Sequence, residues 1–575
     1  MIKCQGVSHW AALGVLLLLG ACVNTAEVPT VAVLQAPPAA PAPESATLPP
    51  AEPASGDALA LESGGELAAL DPSAGRREPD GLTPIASSVA DNSVDEVLSE
   101  LKTEPEAPLP APSVVAPDWR TAAALVAARP PGTAVGYLLI DLASGQVLAE
   151  LNPDLPLIPA STVKLATAVA ALDLLGPEHR FRTELLADGV IENGVLHGDL
   201  ILRGGGDPSL DLADLLGLAV RLETTGIRTV DGRFLIDDTA LPRFSEIEPS
   251  QPPEAPYNAS IGALSVAFNR VHLAWWGGGR IDAAALPPLY EARFEPAPPS
   301  RLPPGGVALK SSDQRAVVWR VADRGRRRQL IELPVKDPGL HAGALFRRFA
   351  GAQGISLGSP LRGVTPAGAS VLAVHESAPL RYLVQDMLLY SNNMMAELIG
   401  LSAAQRRGDA WGGLDVAGRL LLGHLGELMP ETDWRGATLG NLSGLDGTAR
   451  LTPRQLAAIA RYGWQHEALP ALLPGGGWSG TLTRRFASTG EALRVWAKTG
   501  TLNYGSALAG YLFPMTDRPA VFVTMVADTG KRDAYDALLP YPGPAARSSA
   551  DAWLGRARAL QDALVESWLQ PMPTS

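Results

Sequence analysis

The chain predicts an α/β (α+β) fold built from both ends of the sequence and interrupted by a large, mainly β insert of one or two domains. Three observations carry this expectation. A hairpin pattern and an apolar helical stretch stand together at residues 134–175. Between about Thr183 and Val371 the pattern changes to short β-branched runs separated by turn-forming clusters. Helical patterning returns from Ser377, and strand-like runs follow towards the end. At 575 residues the protein exceeds what one core can organise, so several domains are expected.

Residues 1–22 read as a leader. Lys3 supplies a short positive region and Trp10 to Leu19 an apolar one. That run is shorter than the roughly 18 residues a membrane span needs, which fits a signal peptide. Leu19-Gly20-Ala21-Cys22 resembles the bacterial lipoprotein lipobox, whose cysteine is lipidated and becomes the mature N-terminus. An ordinary secretory leader is the alternative. Cys4 and Cys22 are the only cysteines, so the mature chain would hold no disulfide, thiolate nucleophile or cysteine-ligated metal.

Residues 23–117 read as a disordered Pro/Ala/Glu-rich tether. They hold 15 acidic residues, 3 basic ones, 16 of the 51 prolines and no aromatic side chain. Such a segment cannot bury enough apolar surface to order itself; as a flexible coil it would span roughly 50–60 Å. It also carries most of the formal charge of −13. The remaining body is near neutral, which argues against a nucleic-acid partner.

The body is expected to fold as a catalytic domain, 118–182 and 372–570, around an insert, 183–371. Ala134 to Asp141 and Gln146 to Leu151, joined through Ser144-Gly145, form a hairpin pattern. Ser161 to Leu175 is helical, closed by Gly176-Pro177, and apolar nearly all round, as a central buried helix would be. Helices are expected over Ser377–Gln405 and Pro453–Tyr462. The last strands are placed at Arg494–Ala497, Ser506–Phe513 and Ala520–Ala527, before a helix around Ala550–Trp568.

The chemistry starts from lysine, of which the chain has only seven against 40 arginines. One closes Ser161-Thr162-Val163-Lys164 and another opens Lys498-Thr499-Gly500-Thr501. Arginine stays charged in proteins, whereas a buried lysine can lose its proton and act as a base. Three residues apart on a helix, Ser161 and Lys164 share a face, so the amine can activate the hydroxyl as a nucleophile. That requires a lysine pKa brought down towards 7–8, by burial and by a second cation such as Lys498. Ser391-Asn392-Asn393 adds a hydroxyl and an amide suited to proton relay and substrate binding. The order S-x-x-K, S-x-N, K-T-G is that of β-lactamases and penicillin-binding proteins.

With Ser391 standing 227 positions after Lys164, the chain resembles the D-alanyl-D-alanine carboxypeptidase/endopeptidase family typified by penicillin-binding protein 4, of low molecular mass and class C type. Ile158 to Thr162, Gly194 to Leu200, Gly205 to Pro208, Ser479 to Leu482 and Ala497 to Leu502 carry the likeness. The resemblance implies a serine β-lactamase/DD-transpeptidase-like domain and a serine carboxypeptidase acting on peptidoglycan stem peptides, with cleavage of cross-links as an open extension. It further implies β-lactams as inhibitors. Ser161 would be the nucleophile, Lys164 the base, Ser391 the proton relay and Lys498 a positive charge. Asn393 would hold the substrate backbone, and Thr499 and Thr501 of the Lys498-Thr499-Gly500-Thr501 strand its carboxylate. Backbone N–H groups of Ser161 and Thr501 would form the oxyanion hole. Ser443 and Arg450 would bind substrate, although the segment starts Asn441-Leu442 where the family often has Asp-Gly.

Neither a metal nor another cofactor is expected, since the eight histidines are dispersed and none pair at ligand spacing. Gly354-Ile355-Ser356-Leu357-Gly358 fits a nucleophile elbow, but a helical stretch precedes it where a strand is needed. Trp275 and Trp276 are assigned to insert packing and Glu254 to solvent. The expected location is the periplasm, with a lipid anchor on Cys22 holding the protein to a membrane; Val23 in place of Asp favours the outer one. A β-lactamase or esterase on the same scaffold, and a non-catalytic wall-binding lipoprotein, are the alternatives.

Overall fold

The computed structural model describes residues 119–569, apart from Pro130 and the stretches 277–281, 291, 313–316, 326–327, 409–410, 489 and 515–517. The leader, the tether and Cys22 lie outside the described residues. The body opens with helix α1 (Trp119–Ala127), the hairpin strands β1 (Ala134–Asp141) and β2 (Val147–Leu151), and helix α2 (Val163–Leu175). The insert begins with β3 (Arg182–Glu192), β4 (Val195–Gly204), α3 (Leu212–Thr224), β5 (Thr229–Val230) and β6 (Phe234–Asp237). It continues through β7 (Arg270–Trp276), β8 (Asp282–Leu286), β9 (Ala292–Ala297), β10 (Val307–Ser312), β11 (Val317–Ala322) and β12 (Gln329–Pro334). Helix α4 (Pro338–Ala352), β13 (Pro360–Arg362) and β14 (Ser370–Glu376) complete it. The body resumes with α5 (Leu380–Tyr390), α6 (Asn393–Ala404), α7 (Leu414–Leu428) and α8 (Pro453–His466). It closes with β15 (Val495–Leu502), β16 (Gly505–Leu512), β17 (Ala520–Ala527), α9 (Thr529–Asp536) and α10 (Pro544–Leu569).

The body sheet is antiparallel, in the order β15-β16-β17-β1-β2, so the two parts of the domain meet where β17 pairs with β1. Alternate residues of each strand enter different cores, as a period of two requires. Leu138, Ile140, Val521, Val523 and Met525 face the helical layer of α2 and α5 to α8. Leu139, Tyr137, Phe522 and Val526 face α10, through Trp553 and Leu564. This is why β17 reads as an unbroken apolar run: both faces are covered. Helix α2 has no polar side; Val163 through Leu172 are all buried, Lys164 included.

The insert is mainly β, as expected, with twelve strands and two α-helices among the described residues. Its larger part is a mixed sheet, β13-β6-β4-β3-β14 with β5 beside β4, packed by α3 and α4 around Leu202, Leu218, Phe234 and Phe346. Its smaller part is a pair of three-stranded sheets around Trp275 and Trp319. Trp275 donates from Nε1 to the Ala322 carbonyl at 3.0 Å, whereas Trp276 is exposed. Helix α3 begins with a capping box in which Asp211 and Asp214 satisfy each other's backbone N–H groups. Strands β3 and β14 pair across the expected borders at 182/183 and 371/372, so both borders cut strands. Helix α7 escapes the sequence pattern because Gly418, Gly423 and Gly426 dilute it. Gly418 is needed there, since a Cβ would lie 2.4 Å from the Leu439 carbonyl oxygen.

Trp553 ties the C-terminal helix to the first part of the domain: it is 1% exposed and donates from Nε1 to Thr133 Oγ1 at 3.1 Å. Trp553→Ala is expected to destabilise the body by about 3–5 kcal/mol, the usual range for a large buried aromatic. Urea unfolding followed by circular dichroism measures it, and a loss under about 1 kcal/mol would mean α10 is not integral to this core.

Candidate active site

Ser161 lies in a 3-10 turn, Ala160–Thr162, that runs into α2. The Lys164 amine reaches back to Ser161 Oγ at 3.1 Å and also lies 2.8 Å from both Asn393 Oδ1 and the Ser443 carbonyl. An ammonium would donate to all three. A neutral amine has two N–H donors, which the amide and carbonyl oxygens take, leaving its lone pair for the serine hydroxyl. The three contacts therefore suit a base poised against a nucleophile.

Burial moves Lys164 towards that state. Its amine is fully buried and its pKa is lowered to about 7 by desolvation, against the pull of the Glu397 carboxylate, which raises it. The shift corresponds to roughly 5 kcal/mol in favour of the neutral form. Lys498, also fully buried, donates to the Thr499 carbonyl at 2.8 Å. Its pKa is pushed down by burial and then by repulsion from Lys164.

Glu397 was not foreseen. One turn beyond Asn393 on α6, it accepts from the backbone N–H of Leu442 and of Ser443, both at 2.9 Å and one to each oxygen. Those bonds fix the segment whose Ser443 carbonyl faces Lys164. Burial raises the Glu397 pKa to about 7, while the hydrogen bonds and Lys164 oppose the rise. The i, i+4 spacing from Asn393 was the available signal.

Close approaches explain two glycines. A Cβ on Gly444, whose φ is +76°, would lie 2.0 Å from the Ala160 carbonyl oxygen. One on Gly500 would lie 2.4 Å from the Pro159 oxygen. Only glycine lets the 441–445 loop and β15 close on the serine turn from both sides. Asn441, where the family often has Asp, holds this loop from within: its Oδ1 accepts from Gly444 N at 2.9 Å and Leu445 N at 3.1 Å.

The cleft, of about 690 Å³, is lined by Ser161, Ser391, Asn393, Thr499 and Thr501 among others. Ser391 caps α5 in the left-handed region, φ +55°, and lines the cleft together with Ser161. Strand β15 reaches Leu502 rather than stopping at Ala497, and it is an edge strand. Its alternate backbone groups therefore face the opening.

Three sequence expectations change. Asn393 holds Lys164 with Oδ1 and the Tyr257 carbonyl with Nδ2, at 3.0 Å; gripping substrate would require the Tyr257 bond to exchange. The Ser443 side chain is buried against Asn441, so its carbonyl is the group that serves the site. Arg450 donates to the carbonyls of Gly447 and Ala449 in its own loop and does not line the cleft.

Glu254 is not the solvated carboxylate expected, for burial raises its pKa and Tyr541 donates to it at 3.0 Å. Ser356 lies in the insert, bridged to Thr229, away from the cleft. Gln251 and Tyr257 of the insert and Arg484, Arg485, Arg558 and Asp562 also line the cleft unforeseen, as does Thr481 of the Ser479 to Leu482 string. No local motif marks the first six, because distant segments bring them together.

Residues 121–540 match the D-Ala-D-Ala carboxypeptidase 3 (S13) family. The chain is 31% identical to a D-alanyl-D-alanine carboxypeptidase of Actinomadura sp. (strain R39), over 66% of this chain and 75% of that protein. It is 26% identical to D-alanyl-D-alanine carboxypeptidase DacB of Haemophilus influenzae, over 69% and 86%. The crystal structure of penicillin binding protein 4 (dacB) from Haemophilus influenzae shares the fold, with a TM-score of 0.62 at 22% identity over 71% of this chain and 93% of that one.

Because Lys164 must be neutral to accept a proton, acylation of Ser161 should fall about tenfold per pH unit below a pKa of about 7. Removing the negative charge in Glu397→Gln should move this acid limb to lower pH, since that carboxylate raises the lysine pKa. Stopped-flow acylation by a β-lactam across pH 5–9 (a range of about four units) reads both. A limb that does not move in the variant would leave Glu397 with a purely structural role.

Proposed function

The chain belongs to the D-Ala-D-Ala carboxypeptidase 3 (S13) family, and from that premise we propose that Ser161, Lys164, Ser391 and Lys498 carry out its acyl transfer. The enzyme is a serine-type D-alanyl-D-alanine carboxypeptidase. It removes the terminal D-alanine of peptidoglycan stem peptides through an acyl-enzyme, and β-lactams acylate it. The observation that carries the assignment of residues is the three-way contact of the buried Lys164 amine with Ser161, Asn393 and Ser443.

Neutral Lys164 takes the Ser161 proton as Oγ attacks the carbonyl between the two D-alanines. The carbonyl electrons move to oxygen, where the N–H groups of Ser161 and Thr501 act as donors; one such donor is typically worth about 10²–10³ in rate. Collapse breaks the C–N bond, and the proton passes through Ser391 to the departing amine. Water, deprotonated by the same lysine, then hydrolyses the ester. Lys498 adds positive charge beside the oxyanion and the leaving carboxylate. In a cross-link the departing amine would belong to a neighbouring stem peptide, and the same bonds would form and break.

The intact mass of the purified body after benzylpenicillin tests the assignment. The expected result is a lasting adduct of one penicillin on the parent and none on Ser161→Ala. Rapid drug loss without an adduct would point to a β-lactamase; an adduct on the variant would displace Ser161 as nucleophile.

Attachment to a membrane through lipid on Cys22, in the periplasm and at the outer membrane, belongs to the same proposal. Its support is the Leu19-Gly20-Ala21-Cys22 order and Val23. Cys22→Ser is expected to shift the protein from the membrane to the soluble fraction. An unchanged distribution would remove the anchor.

A further inference from the structure

Helix α10 brings an arginine to the leaving-group end of the cleft, and no motif in the sequence marks it. We propose that Arg558 binds the carboxylate of the residue beyond the scissile bond, acting with the Thr501 hydroxyl. This rests on the carboxypeptidase reading of the same cleft.

Arg558 is held in register from one turn away. Gln561, buried on the same helix, accepts from Ser506 Oγ at 2.7 Å and donates to the Thr524 carbonyl at 3.1 Å. These bonds lock α10 across β16 and β17. From that position Arg558 Nη2 donates to Thr501 Oγ1 at 3.1 Å, and the side chain lines the cleft together with Thr499 and Thr501.

The charge balance points to an anion. The nearby Asp562, one turn along α10, is engaged by Arg485 through Nε at 2.9 Å and Nη2 at 2.5 Å. Among the described residues no carboxylate comes within salt-bridge distance of Arg558 or of Arg484, which lines the same end. Desolvation and repulsion from Arg485 press on the Arg558 charge, and Asp562 and Asp551 offset them only in part and without a direct ion pair. A guanidinium cannot relieve this by losing its proton, so an anion bound directly to it would add compensation.

The geometry also fits. With Thr501 Oγ1 accepting from Arg558, that hydroxyl's own hydrogen is free to donate. The rest of the guanidinium fork keeps its other N–H groups for a second oxygen of the same carboxylate. A carboxypeptidase's departing residue carries such a group directly after the bond that breaks. The penicillin nucleus carries one too.

The test uses two acyl-D-alanyl thioesters that form the same acyl-enzyme: one releases thioglycolate, the other its methyl ester. In each, Ser161 Oγ bonds to the D-alanyl carbonyl, the C–S bond breaks, and the serine proton leaves with the thiol. Because deacylation is common to both, kcat/KM compares leaving-group recognition alone. Arg558→Ala should lower kcat/KM for the thioglycolate ester about 10–100-fold, the scale of a charge-assisted hydrogen bond, and leave the methyl ester within about threefold. Arg558→Lys should recover part of the loss on the charged substrate only. Equal losses on both esters, or no loss on either, would overturn the proposal. A parent as slow as Ser161→Ala on both esters would instead overturn the nucleophile assignment on which it rests.

Discussion

A single desolvated amine organises this molecule. Lys164 can serve as a base only if water is kept from it and if its two N–H groups have acceptors that do not carry it back to the charged form. The apolar wrap of α2 meets the first condition, with Lys164 among ten consecutive buried residues. Neutral oxygens of Asn393 and Ser443 meet the second. A carboxylate in direct contact would have held the proton on the lysine. Glu397 is instead set behind the Ser443 backbone, near enough to raise the pKa and bonded to N–H groups rather than to the amine.

That arrangement constrains the segments around it. The serine turn is approached by the 441–445 loop on one side and by β15 on another, each at a distance only a glycine permits. The loop is pinned three ways: by Glu397, by Thr167, which donates to the Leu442 carbonyl at 2.6 Å, and by Asn441 from within. Asn393 extends the network outward, since its second amide group holds the Tyr257 carbonyl. The insert is thereby coupled to the base through one side chain, and Gln251 and Tyr257 stand over the cleft from the insert's side.

The opposite wall is electrostatic. Lys498 of β15 is buried, while Arg484, Arg485 and Arg558 stand at the cleft's end, where Asp562 is engaged by Arg485. A negative leaving group meets a field already in place there, and preorganised charge of this kind needs no rearrangement as the reaction proceeds.

Much of this was legible in residue order. Ser161 and Lys164 declare themselves because three residues along a helical turn bring two groups to one face, and Ser391, Asn393 and Lys498 because short motifs hold groups at fixed offsets. The apolar residues that flank Lys164 along α2 imply by themselves that its amine is buried. The strand pattern likewise placed β1, β2, β16 and β17, as apolar or β-branched runs bounded by turn-forming residues. Local order could not say which end of Asn393 would face the lysine, that the Ser443 backbone rather than its hydroxyl serves the site, or that Arg450 would turn back on its own loop. Nor could it find Tyr257 or Arg558, and for Glu397 it offered only the spacing from Asn393, because burial, hydrogen-bond choice and charge balance are properties of what packs around a group. The sequence by itself determined the chemistry available. The tertiary structure decided which of those groups is dry, which is paired and which still lacks a partner, because each depends on segments hundreds of residues apart meeting at one cleft.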